Sequence, residues 1–516
     1  MRYKSLLLPF FVSLFFLLSI TTFAQNGYSL QLSKKWNSSL LYENDSLNHI
    51  TWKPVLYTDT LVGKHPGTWL NRKFFNEHLL QVEKENFNIY GDVIFDEYIG
   101  KSKRFVETPM MNTRGFEIFG NVGKKFYFET GLYENQGRFP GYVDSFIRKS
   151  RIIPGQARFK NIGDGKGFDF SYSTARLIYT PNRHLLFDLG YNKNFIGDGY
   201  RSLMLSEFST NYPYLRTSLT YGKFQYSFMW SQYLTGRDPS IYALGFPRKW
   251  SQTFLIDYKA TKNLTVSLFE SVIWPDEDSL RNKDISPSLL SPVMFLHGNK
   301  TPSGASNNEI VGLNLKYKIL PRTYIYSQYV VDQFAKGGSW KNKYGFQAGI
   351  RSSDVLNVSK LNGLIEFNTV RPYMYAADER AAVYGNDRAP LAHPLGANFK
   401  EVIFVTDYSY KKLWFRLEAF AAKYGIDSSA SANYGHDILK PLSTHSVEDN
   451  VKTGQGLSTK LYYVDLRAAY IINPLSNLRI EAGVVAREEK NKVKDFKDLY
   501  MYIGVRMSFR SFYYDF

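Results

Sequence analysis

The chain of 516 residues contains no cysteine. This excludes a secreted scaffold stabilised by disulfides, and it excludes attachment through a lipid-modified cysteine. After residue 24 no stretch approaches the roughly 18 consecutive apolar residues of a transmembrane helix. The sequence also lacks the GxSxG and HExxH signatures that carry hydrolase and zinc-protease chemistry. We therefore predict a protein that is not an enzyme, that uses no metal or cofactor, and that acts by binding.

The N-terminus has the pattern of a secretory signal peptide. Arg2 and Lys4 form a positive start, residues 6–20 are apolar, and Ala24 ends a cleavage-site pattern. The apolar run is too short for a comfortable membrane span. We predict that residues 1–24 are a signal peptide that is cleaved after Ala24, so that the protein is exported.

After the signal peptide the chain divides into two parts. Residues 25–85 lie outside the strand pattern described below, and HLLQVEKENF (residues 78–87) has a helical appearance. We predict a small periplasmic N-terminal region at 25–85 that is partly helical. Residues 86–516 form the second part, which carries the fold.

The chain is basic, with a formal net charge of +17. The positive charges are scattered along the sequence and do not form one basic arm. An exported protein seldom meets nucleic acid, so the charge favours an acidic glycan or lipopolysaccharide as partner. We predict no nucleic-acid partner.

Alternation of apolar and polar residues dominates residues 86–509. In LWFRLEAFAA (residues 413–422) every second residue is apolar, while arginine and glutamate lie on the other face. This is the period of a β-strand, sustained over about ten residues, whereas strands of soluble sheets are usually five or six residues long. Aromatic residues gather near the segment ends, for example Tyr373 and Tyr375. Length, one apolar face and aromatic ends are typical of a transmembrane β-barrel.

About eighteen such segments occur, and their connections alternate between tight turns and long loops. An even strand number with short periplasmic turns and long outer loops is the pattern of bacterial outer-membrane barrels. We therefore predict an all-β fold, a transmembrane antiparallel β-barrel of about 18 strands located in the outer membrane and surrounded by its lipid. The long connections are residues 134–167, 193–211, 234–248, 274–307, 376–399 and 424–457.

Charged residues on the polar faces of neighbouring strands near the C-terminus are predicted to form a mutually paired wall that stiffens a wet interior. A selectivity lining is the alternative for the same residues. The set comprises Arg416, Glu418, Asp465, Arg467, Arg479, Glu481 and Arg506.

Two stretches supply candidate binding residues. In the long loop 376–399 two prolines stiffen the chain around His393, and nearby side chains offer aromatic faces and polar donors to a sugar. In GDGY (residues 197–200) closely spaced glycines favour either a backbone nest for an anion or a tight turn. The candidate carbohydrate-binding residues are Tyr373, Tyr375, Tyr384, Arg388, His393, Asn398, Asp198, Tyr200 and Arg201.

The last predicted strand, YIGVRMSF (residues 502–509), resembles the C-terminal signal through which outer-membrane barrels are recognised for assembly. The resemblance implies the barrel-assembly machinery as a partner. Phe509 is followed by seven further residues, ending at Phe516, which departs from the usual terminal position of the signal.

Several stretches resemble the Wzi-type capsule-assembly family, in the RemB-like branch of gliding bacteria. They are NTRGFEIFG (residues 112–120), YENQGRFPGYVD (133–144), and the longer stretches at 192–216 and 371–401. The resemblance implies a large outer-membrane barrel partly closed by its outer loops. It also implies attachment or assembly of surface polysaccharide, with a link to gliding motility.

We therefore expect a barrel that binds surface (capsular) polysaccharide and that supports its attachment or assembly. Two alternatives remain open from the sequence. One is a porin-like diffusion channel, because wide barrels leave an aqueous channel unless they are filled. The other is a structural component of a motility or adhesion complex.

Overall fold

The computed structural model describes residues 28–29, 49–57, 66–105, 107–156, 158–238, 245–275, 291–296, 307–335, 339–510 and 512–516. Within these residues, eighteen long strands form one closed antiparallel barrel, which confirms the predicted fold class. The predicted signal peptide, residues 1–24, lies outside the described residues, as does most of the loop 274–307.

Each barrel strand pairs with its neighbour in sequence, and the alternating sequence segments correspond closely to the strands. The barrel strands are β1 (Phe87–Ser102), β2 (Met110–Val122), β3 (Phe126–Arg138), β4 (Gly167–Tyr179), β5 (Leu185–Asn192), β6 (Tyr212–Tyr221), β7 (Phe224–Leu234), β8 (Arg248–Lys259), β9 (Leu264–Pro275), β10 (Asn308–Leu320), β11 (Thr323–Gln333), β12 (Lys343–Ser352), β13 (Leu361–Val370), β14 (Phe399–Tyr410), β15 (Leu413–Ile426), β16 (Leu457–Asn473), β17 (Leu478–Lys490) and β18 (Asp495–Arg506).

The short elements lie in the connections and in the N-terminal region. The two α-helices of the described residues are α1 (Trp69–Phe75) and α2 (Gly141–Ser150), and single 3₁₀ turns occur at Val355–Asn357, Arg380–Ala382 and Leu442–Thr444. Short strands occur at Tyr28–Ser29, Trp52–Lys53, Leu56–Tyr57, Leu80–Glu83, Lys160–Ile162, Phe195–Ile196, Gly385–Asn386 and Ala389–Pro390.

The helix predicted for residues 78–87 is wrong. The helix of this region is α1, which ends at Phe75, and Leu80–Glu83 is a strand that pairs with β1 through Leu80↔Gly91 and Glu83↔Asn88. The apolar spacing of HLLQVEKENF fits both periods over so short a stretch, and the free edge of β1 decides in favour of the strand. No helix in the described part of the chain is long and apolar enough to cross a membrane.

The wall of the barrel is apolar outside and polar inside. On β17, Ile480 and Val484 are exposed, while Arg479 and Glu481 are buried against the interior. An outward belt of exposed aliphatic and aromatic side chains is stable in hydrocarbon, and a closed barrel leaves no unpaired backbone group in the lipid. The fold is therefore that of an outer-membrane β-barrel.

The predicted pairing of the interior charges is confirmed. Arg416 lies 3.2 Å from Glu418, and Arg467 pairs with Asp465. Arg479 lies 2.9 Å from Glu481, which Arg506 also approaches at 3.9 Å. These side chains stiffen the inner wall and neutralise one another.

β18 and β1 close the barrel along a short seam, from Tyr500↔Ser102 to Val505↔Glu97. Below this seam the strand Leu80–Glu83 covers the edge of β1. Residues 507–516 leave the wall after β18 and turn into the interior, where Tyr513, Tyr514 and Phe516 are buried.

The interior is filled by chain. Within the described residues, the segments that fill it include residues 49–57, 193–211, 371–398 and the tail 507–516, and we call these four together the plug. Residues 49–57 belong to the region predicted to be periplasmic, yet Trp52 pairs with Ile196 in a short sheet and His49 lies 2.9 Å from Asp257 of β8. The N-terminal region therefore contributes to the plug.

Candidate functional site

GDGY (residues 197–200) forms a backbone nest, and the anion held in this nest is a side-chain carboxylate of the protein itself. The N–H groups of Tyr200 and Arg201 donate to the two oxygens of Glu366 on β13, at 2.7 and 3.0 Å. Gly197 has φ +141°, and a Cβ at Gly199 would overlap the Glu366 carboxylate. Gly199 is required because the backbone approaches this carboxylate closely, and Gly197 because of its positive φ and its contact with the Gln328 side chain.

Arg201 and Tyr200 lie at the centre of a buried ionic cluster. The Arg201 guanidinium lies 2.8 Å from Asp515 of the tail and 3.5 Å from Glu401 of β14. The Tyr200 hydroxyl lies within 2.8 Å of Glu418 and 2.7 Å of Asp515. The cluster therefore joins the loop 193–211, the tail and the barrel wall.

Asp198 is also engaged inside the barrel. Its carboxylate accepts a hydrogen bond from the Asn314 side chain at 2.9 Å and lies 3.4 Å from the Lys316 ammonium group, both on β10. Carbohydrate contact by Asp198, Tyr200 and Arg201 stays a prediction, because all three are buried and bonded within the plug.

His393 is fully buried and connects the loop 371–398 to the cluster. Its Nε2 lies 2.7 Å from Glu401, and its Nδ1 accepts the Leu395 N–H at 3.1 Å. This pattern fixes the neutral tautomer with the proton on Nε2. Burial lowers the pKa of His393, and the Glu401 carboxylate opposes this shift.

Tyr375 and Tyr384 lie inside the plug with their rings stacked 5.8 Å apart. The Tyr375 hydroxyl donates to the Leu203 carbonyl at 2.7 Å, and that of Tyr384 to the Met204 carbonyl at 2.9 Å. The two tyrosines hold the loops 371–398 and 193–211 together. Their ring faces are buried, and sugar stacking on them stays a prediction.

Tyr373 and Asn398 join the loop 371–398 to the outer loop 427–456. The Tyr373 hydroxyl donates to the Asn433 carbonyl at 2.9 Å. The Asn398 amide donates to the carbonyls of Gly425 at 3.0 Å and Gln455 at 3.0 Å. Both residues are buried, with φ +66° and +59°, so the surrounding contacts hold a costly backbone conformation.

Arg388 differs from the other eight candidates because it faces open space. Its guanidinium lies 3.0 Å from Asp238 and donates to the Gly236 carbonyl at 3.0 Å. It lines a cavity of about 1240 Å³ at the barrel end that carries the long loops. We call this space the outer cavity.

The outer cavity lies above the plug and brings together four outer elements. Helix α2, residues 236–238, the loop 371–398 and the loop 427–456 contribute to its lining, together with the hairpin between β17 and β18. Its charged residues are Lys149, Arg237, Arg380, Arg388, Lys440, Arg487 and Lys494, with Asp238, Asp427, Asp437 and Glu489. Seven cations thus face four carboxylates.

Part of this charge is already paired. Lys440 lies 2.6 Å from Asp427, and Arg487 lies 2.9 Å from Glu489. Among the described residues, Lys149, Arg237 and Lys494 form no ion pair, and all three are exposed. The cavity therefore presents a positive surface to an incoming anion.

Aromatic side chains complete the lining. The ring of Tyr424 stacks on His436 at 4.9 Å with an interplanar angle of 9°, and Phe146 packs on Phe516 at 4.5 Å. Tyr142 and Phe496 also line the space. Cations and rings around an open cavity are the chemistry that holds acidic sugars.

Of the residues that line the outer cavity, Arg388 alone was a candidate from the sequence. Helix α2 was not predicted, although the stretch IRKSR (residues 147–151) is a basic cluster within a predicted long loop. Tyr424 at the end of β15 and His436 and Lys440 in the loop 427–456 were not predicted either, because they are separated by polar residues and carry no motif. The positions of the loops depend on contacts between segments far apart in sequence.

No family model matches the chain, and no curated protein matches it in sequence. Among solved structures, Wzi of Escherichia coli is described as an outer-membrane carbohydrate-binding β-barrel involved in group 1 capsule assembly. It is similar over 82% of this chain and 85% of its own, at 13% identity and a TM-score of 0.50.

Two further outer-membrane structures are similar at lower scores. OprD of Pseudomonas aeruginosa matches 87% of this chain and 98% of its own, with 10% identity and a TM-score of 0.43. OccAB2 of Acinetobacter baumannii matches 82% and 98%, with 11% identity and a TM-score of 0.42. At these identities the similarity to Wzi establishes a shared fold: the chain is an outer-membrane-type β-barrel of the kind that Wzi forms.

Proposed function

We propose that this protein binds an acidic surface polysaccharide at its outer cavity and thereby serves the attachment or assembly of capsule. The observation that carries the proposal is a cavity with excess positive charge and aromatic lining, placed above a filled interior. The chemistry is binding, and the proposal assigns no catalytic residue.

The charge of the cavity supports an acidic ligand. Lys149, Arg237 and Lys494 are exposed there without ion pairs among the described residues. Uronate or similar carboxylate sugars would neutralise them, while the partly exposed ring of Phe496 offers an apolar surface to a sugar ring. A stacked ring contributes on the order of 1 kcal/mol, so several contacts along one chain are needed for useful affinity.

The filled interior argues against the porin alternative. An open channel of this width requires a clear lumen, and here the plug crosses it. The similarity to Wzi, described as carbohydrate-binding, agrees with the proposal. A link to gliding motility rests on the sequence resemblance to the RemB-like branch, and a motility assay on a deletion strain tests it separately.

Binding of an acidic polysaccharide by the purified protein in detergent tests the site. We expect the double variant Lys149→Gln/Lys494→Gln to bind alginate several-fold more weakly than the unaltered protein, with a smaller salt dependence. The matched control is Lys124→Gln/Lys262→Gln, which removes two exposed lysines from turns at the opposite end. An equal loss of alginate affinity in both variants would indicate that binding depends only on the overall charge, and it would contradict the site.

A deletion strain tests the cellular role. We expect cells without the protein to release capsule into the medium and complementation to restore retention, whereas complementation with the Lys149→Gln/Lys494→Gln variant restores it only in part. Full retention of capsule in the deletion strain would exclude the proposed function, even if the purified protein binds polysaccharide.

A further inference from the structure

The short helix α1 and the residues behind it carry a concentrated, exposed apolar surface. Trp69, Leu70 and Phe74 are 56%, 73% and 54% exposed, and Leu79 and Leu80 are exposed as well. No side chain of α1 is buried. We call residues 69–80 the rim segment. A cluster of this kind on one short stretch indicates a contact surface.

The rim segment lies along the periplasmic edge of the barrel. The Asn473 amide at the end of β16 donates to the carbonyls of Lys73 at 3.1 Å and Glu77 at 2.9 Å. The Lys412 ammonium, in the turn between β14 and β15, lies 5.6 Å from the Phe75 ring. Both partners belong to the short-turn end, so the helix is held at the level where the wall leaves the membrane.

The exposed surface continues the lipid-facing belt. Leu80 lies over Gly91 on the outward face of β1, beside the exposed Val93. At the other end of the rim segment, Leu413 and Tyr470 form an outward pair near Lys412 and are exposed. Because this apolar surface joins the lipid-facing belt at both ends, we expect it to contact lipid as the belt does.

The polar side of the segment is arranged for a membrane interface. Arg72 lies 3.2 Å and Lys73 2.9 Å from the buried Glu77, so both basic side chains are held toward residue 77 while Trp69, Leu70 and Phe74 stay exposed. Exposed apolar side chains, tryptophan among them, with basic residues beside them are typical of segments that lie at the level of the headgroups.

We propose that the rim segment is an interfacial anchor that inserts Trp69, Leu70 and Phe74 into the periplasmic leaflet of the outer membrane. Its ligand is a phospholipid surface. The anchor leads into the strand Leu80–Glu83, which pairs with β1 below the short seam to β18, and in the chain it lies between that strand and residues 49–57 of the plug. This inference is independent of the polysaccharide function.

Because the chain contains no cysteine, an introduced cysteine is the only site that a thiol-reactive spin label modifies. A nitroxide is attached to Leu70→Cys in the full chain, reconstituted into vesicles of phosphatidylethanolamine and phosphatidylglycerol. Collision with oxygen and with a water-soluble nickel chelate is measured. Val484→Cys in the belt is the lipid reference, and Val493→Cys, 82% exposed in the hairpin between β17 and β18, is the water reference.

We expect the label at position 70 to give an oxygen-to-nickel accessibility ratio at least several-fold above that at 493 and close to that at 484. Adding Phe74→Glu should move the label at 70 toward the aqueous value. A label at 70 that is as accessible to nickel as that at 493 would overturn the proposal and would leave a periplasmic protein as the partner of this surface. A label that Phe74→Glu does not move would show that protein contacts alone set its depth, which also overturns it.

Discussion

Glu366 takes the role that an anionic ligand has in other glycine-rich nests. Its carboxylate accepts two backbone N–H groups from the loop 193–211, and the Tyr326 hydroxyl donates to it at 2.8 Å. A buried carboxylate is stable only when its oxygens are bonded in this way. The glycines at 197 and 199 thus serve folding of the plug, and the proposed binding site lies outside the plug, in the outer cavity.

The buried charge of Arg201 should be essential to the plug. In Arg201→Gln, Asp515 and Glu401 lose their shared cation while they remain buried, and removing one member of such a group costs about 3–5 kcal/mol. We expect single-channel conductance to rise as the tail and the loop detach, while the barrel keeps its heat-dependent mobility on gels.

Arg322→Gln is the matched control for this substitution. Arg322 pairs with Asp354 in the periplasmic turns and its side chain is 57% exposed, so the exposed pair is worth about 0–1 kcal/mol. An Arg201→Gln protein that conducts no better than the control would contradict the role of the cluster.

His393 should make the plug sensitive to mild acid. Burial lowers its pKa, so the detached loop, with an ordinary value of about 6.5, binds more protons than the folded loop. The stabilisation is complete above that pH and declines as the pH falls below it. The groups facing the ring are Glu401, Arg201 and Asp515.

We therefore expect more frequent openings in planar bilayers at pH 5.5 than at pH 7.5. The variant His393→Gln, which cannot gain a proton in this range, should show a smaller difference between the two pH values. An unchanged pH dependence in the variant would assign the effect to other groups.

At the scale of elements, the strands were predictable and the loops were not. The alternation in β15 to β18 is local, because each residue faces either lipid or the interior. Interior pairs such as Arg479 and Glu481 follow from the same pattern. The prediction that Tyr373 and Tyr375 belong to an aromatic belt is wrong, because β13 ends at Val370 and both rings are buried in the plug.

The contacts that could not be predicted from the sequence join residues that are far apart in the chain. Asp515 meets Arg201 across more than 300 residues of sequence, and Trp52 meets Ile196 across more than 140. No spacing rule predicts such contacts, because they depend on which loops bend inward. Because these loops bend inward, eight of the nine candidate residues lie inside the plug, and Arg388 lies at the outer cavity.

The loop 371–398 should be both part of the plug and one wall of the outer cavity. Replacing residues 380–396 by a short glycine–serine linker removes His393, Tyr384 and Arg388 together. We expect higher conductance and weaker capsule retention, with the barrel still assembled, because strands β13 and β14 pair independently of the loop. Arg388→Ala, which leaves the plug contacts of Tyr384 intact, should weaken retention while conductance stays low.

Shortening the periplasmic turn at residues 355–358 provides the control, since this change lies at the opposite end of the barrel. If the deletion of 380–396 opens the pore but leaves capsule retention intact, the loop only blocks the pore and has no role in polysaccharide binding. No change in either property would exclude both roles.

At the scale of the whole molecule, the barrel is a closed wall that its own chain fills from several directions. The tail and the loop 371–398 meet the loop 193–211 at the cluster around Arg201, through Asp515 and through His393 on Glu401, and residues 49–57 join the same loop at Ile196. An eighteen-strand barrel without such a plug has an aqueous lumen. The wall therefore supplies a rigid frame in the membrane, and the segments within it supply the surface that faces outward.

The intact protein should conduct poorly for a barrel of its width. Ion flow requires a continuous wet path, and the side chains of the plug are packed and bonded to the wall at Glu366, Glu401 and Glu418. We expect conductance in planar bilayers far below that of an open barrel of eighteen strands, with a rise when the tail is removed after Ser508. The truncated protein loses Asp515 and with it one partner of Arg201, so its opening should resemble that of Arg201→Gln. A large, steady conductance of the intact protein would instead place it among the diffusion channels, and the outer cavity would then be the entrance of a pore.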